Sequence, residues 1–274
     1  MRRLWVFPLA LVALGAFGAR ADDAAPEPVP EIAPGFLKGY LTKEEIPNSA
    51  ALVPPPPALG SAAATLDQDV AREALMLRDT PRWKVAALDA GLREGTAVTA
   101  FSCALGVPLN AADTPHTYLM LRRVLTDAGL ATGAAKREYR HARPFMMDYS
   151  PICTPALEDD LRKDGSYPSG HSSIGWAWAL TLAQAAPRQA DAILKRGLEF
   201  GESRLVCNVH WESDVVEGRT VGAATFAKLN ANADFLRDLA LARDEIVAVR
   251  AKSLPPSRDC AFEAKALATP DFGP

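Results

Sequence analysis

The stretch that most limits what this chain can fold into is Gly165-Ser166-Tyr167-Pro168-Ser169-Gly170-His171, which runs straight into the apolar segment from Ser172 to Leu180. Proline and serine ahead of an apolar-periodic segment are a helix start signal, so Ser169, Gly170 and His171 are predicted to lie in the first turn of a central helix. The N–H groups of a first turn have no partner inside the helix, and the helix dipole places partial positive charge there, so this turn can receive an anion. Gly170 lets an anion approach closely. His171 stands beside it with a side chain that gives or takes a proton near neutral pH. A capped helix with an incidental histidine would account for these residues taken alone, and the rest of the chain decides between the two readings.

Further helix signals recur along the sequence. Thr80-Pro81 and Thr114-Pro115 each place a capping hydroxyl before a proline at the first helical position, which predicts helices from Pro81 to Leu92 and from Pro115 to Ala128. Gly91 and Gly129 read as their stop signals. Pro187 opens a run towards Val206, and Asp214 to Leu229 and Ala233 to Val249 complete the series. Segments that alternate with period two are scarce. The fold class expected is therefore all-α, a helical bundle with long connecting loops, its main domain spanning residues 58–250. Trp176 and Trp178 lie two apart on the central helix, and one or both are expected in the core rather than at the substrate. Residues 22–57 are rich in proline and read as an arm, extended over the surface or partly disordered, and residues 251–274 read as a tail.

Residues 1–21 have the form of an export signal: Arg2 and Arg3, an apolar stretch from Leu4 to Phe17, and Ala19-Arg20-Ala21 as a cleavage site. Cleavage before Asp22 and a periplasmic location are the expectation. Loss of three arginines with the signal makes the formal net charge of −3 three units more negative. That balance argues against a nucleic-acid partner, which would need clustered excess Lys and Arg. After residue 21 no apolar run reaches membrane length, so no membrane insertion is expected.

Three separated pieces carry the chemistry. Lys136 and Arg143 stand seven apart in a basic stretch that ends at Pro144; if it is helical, both cations share one face and Pro144 ends it. Ser169, Gly170 and His171 form the second piece. In the third, Ser203-Arg204 is followed by His210 and Asp214, four apart, so that a carboxylate on a helix or tight turn can fix the tautomer of the imidazole. A base or nucleophile held by a third group has this form. His141 and Arg140 match none of these patterns and read as solvent-facing, whereas whether Tyr167 borders the candidate pocket is left open.

Taken together, Lys136 with six residues to Arg143-Pro144, then Pro168-Ser169-Gly170-His171, then Ser203-Arg204 with five residues to His210 and three more to Asp214, resemble the signature of the phosphatidic acid phosphatase type 2 (PAP2) superfamily, which includes vanadium haloperoxidases. Gly165 to His171 is similar to the corresponding stretch of bacterial class A non-specific acid phosphatases, with Ser172 where that signature has threonine. The resemblance spans roughly Ala58 to Ala248. It implies an all-helical, secreted, metal-independent acid phosphatase that hydrolyses small-molecule phosphate monoesters of broad specificity and needs no cofactor. His210 would be the nucleophile, Asp214 its orienting group and His171 the proton donor to the leaving alcohol. Lys136, Arg143, Arg204, Ser169 and Gly170 would hold the phosphoryl oxygens. A vanadate-dependent haloperoxidase is the alternative, since vanadate mimics phosphate in the same clamp. A homo-oligomer is left open. Cys103, Cys153, Cys207 and Cys260 allow three disulfide pairings, and the nearness of Cys153 and Cys207 to the site residues favours that pair, with Cys103 to Cys260.

Overall fold

Hydroxyl, amide and carboxylate caps set the starts of several helices. The computed structural model describes residues 26–93 and 95–268; the predicted export signal lies outside them. A short antiparallel hairpin, β1 (Glu31–Ala33) with β2 (Phe36–Leu37), comes first. Then follow α1 (Ser49–Leu52), α2 (Ala62–Leu75), α3 (Pro81–Asp89), α4 (Ser102–Leu105), α5 (Pro115–Ala131), α6 (Gly133–Tyr139) and α7 (Pro144–Asp148). The second half consists of α8 (Glu158–Lys163), α9 (Gly170–Ala185), α10 (Ala190–Val206), α11 (Glu212–Leu229), α12 (Ala233–Ala251) and α13 (Cys260–Leu267). The fold is all-α apart from the hairpin. Ser61, Ser169, Asn232 and Asp259 cap α2, α9, α12 and α13, each side chain accepting from the N–H three residues on.

Four helix expectations need correction. The Thr114 hydroxyl does not cap α5 but turns back to the Pro108 carbonyl, and the first-turn N–H groups of His116 and Thr117 go to the Glu245 carboxylate instead. α3 ends at Asp89, three residues short of Leu92. Gly129 does not stop α5, which continues to Ala131; this glycine faces Ile174 of α9, and packing there outweighs the roughly 1 kcal/mol that glycine costs within a helix. The basic stretch is not one helix: α6 closes at Tyr139, Arg140 turns left-handed at φ 44°, and Pro144 begins α7 instead of ending a segment. Lys136 and Arg143 therefore share no helix face.

The helix α9 is the centre of the molecule, flanked by α5, α10 and α11. Trp178 is fully buried, its indole N–H donating to the Leu121 carbonyl at 2.7 Å, with Phe101 and Phe200 edge-on around it. Trp176 packs half-buried against the same core. On α11, Gly218 and Gly222 allow the backbones to touch: a Cβ at Gly218 would lie 2.6 Å from the Ser169 carbonyl oxygen, and one at Gly222 would lie 2.4 Å from that of Ser173. This contact sets the start of α9 against the start of α11.

The proline-rich arm is strapped to this body. Asp127 of α5 accepts the backbone N–H groups of Tyr40 and Leu41, at 2.8 and 3.2 Å, and the Ser49 hydroxyl accepts from the Ala135 N–H at 3.0 Å. Tyr167 is buried and donates to the Pro54 carbonyl at 2.7 Å, so its hydroxyl holds the arm. At the other end, disulfides join Cys103 to Cys260 and Cys153 to Cys207, the favoured pairing. Among the described residues no helix is long and apolar enough to cross a membrane.

Candidate active site

The site is assembled where the starts of α9 and α11 meet the end of α10. Ser169 caps α9 with its Oγ, which accepts from the Ser172 N–H at 3.2 Å and from the Ser172 hydroxyl at 3.0 Å. Two accepted bonds leave the Ser169 proton for donation. The same residue's backbone N–H donates to the Asp214 carbonyl at 2.8 Å, which ties the α9 cap to the first turn of α11. Serine at position 172, in place of threonine, keeps the hydroxyl that this cap uses.

His171 follows in the first turn of α9, its ring stacked on Phe200 at 6.5 Å between centroids. Its Nε2 lies 3.1 Å from the Ala90 carbonyl oxygen. A carbonyl can only accept, so Nε2 carries the proton and Nδ1 is the nitrogen that titrates. Burial, and after it the Arg204 guanidinium, hold this imidazole well below its ordinary value, so it is neutral without an anion beside it.

After α10 the chain reverses through Asn208, left-handed at φ 59°, and delivers His210 just ahead of α11. Asp214, fully buried at the third position of that helix, accepts from the Trp211 N–H at 2.8 Å and from His210 Nδ1 at 3.1 Å, both on Oδ2. Burial raises the Asp214 carboxyl, but hydrogen bonds from His141 and His210 outweigh it and hold the group well below the usual carboxylate range. Its partner imidazole is pushed down to about 3 by burial and by Arg143. His210 is thus neutral, with its proton on Nδ1 and its lone pair on Nε2.

Arg143 faces that lone pair. One Nη1 hydrogen goes to the Val209 carbonyl at 2.8 Å and the other to His210 Nε2 at 3.1 Å, while Nε donates to the Leu161 carbonyl at 2.9 Å. Lys136 Nζ reaches Asp164 Oδ2 at 2.9 Å and the Gly165 carbonyl, and Arg143 Nη2 meets the same Asp164 oxygen at 3.5 Å. The two cations thus converge through tertiary structure. Burial and Arg143 bring the ammonium of Lys136 down to about 8. Arg204, in the last turn of α10, is buried with its Nε unpaired, and burial together with Arg143 brings its guanidinium down to about 9. Buried guanidinium donors normally have acceptors, so an unpaired one near a second guanidinium, that of Arg143, marks a place for an anion.

All the predicted residues are brought to this junction. Ser203, beside Arg204, faces away from it: its hydroxyl donates to Asp89 Oδ2 at 2.7 Å and accepts from Arg82 at 2.9 Å. Two residues escaped sequence reasoning. Arg140 is exposed as expected, but His141 is not simply solvent-facing; its Nδ1 lies 3.5 Å from Asp214 Oδ1 and 3.1 Å from the Ser166 hydroxyl. Ser166 is fully buried and donates to the same Asp214 oxygen at 3.3 Å. No spacing rule points to His141, because only the left-handed turn at Arg140 swings it towards α11. Among the described residues no cluster of three or more His, Cys, Asp or Glu side chains is gathered as a metal site. A groove of about 530 Å³, lined by Leu59, Met147, His141 and Trp211 among others, borders the junction without including His210 or His171.

The chain is similar to several known proteins. A sequence profile described as the PAP2 superfamily matches residues 117–232. A non-specific acid phosphatase of Providencia stuartii is 40% identical over 243 residues, covering 88% of this chain and 98% of that protein. One from Salmonella typhimurium is 42% identical over 211 residues, covering 77% and 84%. An acid phosphatase of Zymomonas mobilis is 39% identical over 202 residues, covering 74% and 76%. Among solved structures, the first transmembrane PAP2 type phosphatidylglycerolphosphate phosphatase from Bacillus subtilis is similar at a TM-score of 0.43 and 19% identity, over 65% of this chain and 87% of that one.

Proposed function

The chain belongs to the PAP2 superfamily, and from that premise we propose that it is an exported, broad-specificity acid phosphatase that hydrolyses phosphate monoesters through a phosphohistidine. The observation that carries this reading is the line from Asp214 Oδ2 to His210 Nδ1, 3.1 Å, and from His210 Nε2 to Arg143 Nη1, 3.1 Å. It couples an oriented, unprotonated nucleophile to the first cation of an oxyanion clamp. The relatives reported above are named as phosphatases, and the haloperoxidase alternative is not favoured.

Phosphoryl transfer needs mainly in-line positioning and stabilisation of charge on the equatorial oxygens. A phosphate monoester takes Arg143 Nη1 off the His210 lone pair, and with Lys136, Arg204, the Ser169 hydroxyl and the Gly170 N–H it fills the donors of the junction. His210 Nε2 then attacks phosphorus as the ester P–O bond breaks, and His171 Nδ1 gives its proton to the departing alkoxide. The phosphoimidazole keeps its Nδ1 proton on Asp214, which balances the positive charge that forms on the ring. Water next loses a proton to His171 Nδ1 and attacks phosphorus; the P–N bond breaks and phosphate leaves. Negative charge on the bound ester opposes the cations that keep His171 neutral, so ester binding and proton uptake are linked, in keeping with acid activity.

Metal independence is part of the proposal, supported by guanidinium and ammonium groups at the places where a metal would neutralise phosphoryl charge. Export is likewise proposed on the leading segment and is supported by two disulfides, which persist in oxidising compartments. Hydrolysis of a panel of phosphate monoesters by the mature protein, with EDTA and with vanadate, tests the reading. Turnover that survives EDTA and is blocked by vanadate is expected. Loss with EDTA would remove metal independence, and failure on every ester would remove the phosphatase assignment.

A further inference from the structure

Asp214 works only if one oxygen stays on the nucleophile. The other, Oδ1, is buried with the rest of the carboxylate and faces two groups to which the resemblance assigns no role, His141 and Ser166. A carboxylate accepts and never donates, so Oδ1 needs hydrogen-bond donors. Ser166 has a single proton, and its Oγ lies 3.3 Å from Asp214 Oδ1, 3.3 Å from the Ala142 carbonyl and 3.1 Å from His141 Nδ1. Were His141 Nδ1 unprotonated, its lone pair would face a buried anion at 3.5 Å while competing with that anion for the one serine proton. With the proton on Nδ1, His141 donates towards Ser166 Oγ and Asp214 Oδ1, Ser166 donates onward to Asp214, and every group is satisfied. The His141 ring is fixed from the other sides by Trp211 at 6.4 Å and Tyr167 at 6.3 Å between centroids, and its main-chain carbonyl accepts from the Ser166 N–H at 2.9 Å.

Resting on the phosphatase reading above, we propose that His141, with Ser166, is a positioning residue for phosphoryl transfer: it holds Asp214 Oδ1 so that Oδ2 stays on His210 Nδ1 and Nε2 keeps its aim. Without the two donors the carboxylate can rotate about its Cβ–Cγ bond towards other partners, and the nucleophile loses a fixed tautomer. Outer partners of this kind, one step removed from the reacting group, cost on the order of 10- to 100-fold in activity when removed.

The test compares His141→Leu, His141→Asn and Ser166→Ala in the mature protein, with p-nitrophenyl phosphate as substrate. Asparagine places an N–H near the position of Nδ1 and leucine does not. The expected result is a kcat roughly tenfold or more lower in His141→Leu with KM within about twofold, and recovery to within about threefold of wild type in His141→Asn. The downfield proton resonance of His210 Nδ1–H should shift or broaden in His141→Leu and persist in His141→Asn. Equal kcat losses in the leucine and asparagine variants, or an unmoved His210 resonance in the leucine variant, would overturn the proposal. If the leucine variant does not fold, Ser166→Ala carries the same expectations for kcat and resonance, and wild-type values for both would overturn it. A wild-type protein inactive on every ester would instead sink the phosphatase reading, and the resonance would still decide the role of His141.

Discussion

His210 and His171 are held in opposite tautomers by the simplest of constraints, a carboxylate against Nδ1 of one and a carbonyl against Nε2 of the other. That leaves the lone pair on Nε2 of His210 and on Nδ1 of His171, the atoms to which the proposed reaction gives the attack and the proton transfer. A pH dependence follows. Histidine in an unfolded chain takes up its proton near the ordinary value of 6.5, whereas folded His210 does so only at about 3. Between those values the unfolded state binds more protons, so this residue makes stability fall as pH falls, by up to about 1.4 kcal/mol per pH unit. His210→Gln removes that proton linkage, and its unfolding free energy should decline less steeply than that of wild type between pH 6.5 and 4. Urea unfolding at several pH values measures the difference, and parallel curves would mean that His210 is already charged in the folded protein. The same variant should lose turnover and acid-labile phosphoenzyme, and labelling that persists would move the nucleophile elsewhere. The signature residues were legible in the sequence because the chemistry fixes their types and spacing. His141 and Ser166 were not, because their task of satisfying Asp214 Oδ1 depends on where a left-handed turn at Arg140 and the backbone of Ser166 bring them.

Between elements, the site depends on how closely α11 lies against α9. Ser169 is tied to α11 through its own N–H to the Asp214 carbonyl, and Gly218 sits one turn further along, under the Ser169 carbonyl. A methyl group there would lie 2.6 Å from that oxygen and 2.8 Å from the Ser172 Cβ, both of which belong to the α9 cap. Gly218→Ala should therefore push the two helix starts apart, costing about 1–3 kcal/mol as overpacked positions do. Activity should fall further than that stability loss explains, since Ser169 and His210 move relative to each other. Denaturant midpoints and kcat on one ester, measured together at a temperature where the variant is folded, check this; a variant with wild-type kcat would show that the helix contact does not set the site. The helices themselves were readable from Thr-Pro and Pro-Ser starts. Their ends were less so: glycine at 129 continues a helix because Ile174 packs on it, while Arg140, with no glycine to mark it, ends one.

For the molecule as a whole, the described parts of the arm and the tail, which flank the stretch that carries the signature, are fastened to the helical body. The tail returns to α3, where Arg258 Nη1 donates to Asp89 Oδ1 at 2.7 Å, and α13 is fastened by the disulfide from Cys260 to Cys103. Asp89 is fully buried and also takes both bonds of Arg196 Nη2, at 2.8 and 2.9 Å, and the Ser203 hydroxyl at 2.7 Å. Burial raises its carboxyl, but the facing guanidinium groups of Arg196 and Arg258 bring it below the ordinary range, so it is charged and paired. Sequence could not show this cluster, since α3, α10 and the tail are far apart along the chain and each contributes a residue type common on surfaces. The cluster reaches the chemistry through one peptide: the next residue, Ala90, offers the carbonyl that holds His171 Nε2. Asp89→Asn keeps the shape but removes the carboxylate that both Arg196, buried, and Arg258, largely buried, bond, leaving Glu263 to face the two and Glu199 to act on Arg196. Breaking a buried pair in this way costs about 3–5 kcal/mol, while Ser203→Ala, which removes one neutral donor, should cost about 1 kcal/mol. Urea titrations of both variants test the ordering. Where Asp89→Asn still folds, a movement of Ala90 should appear as a larger loss of kcat on alkyl phosphates, which in the proposed reaction take the His171 proton, than on p-nitrophenyl phosphate, whose leaving group carries its own charge. A loss under 1 kcal/mol for Asp89→Asn, or equal losses of kcat on the two ester types, would mean that the tail closes the fold without steadying the proton donor.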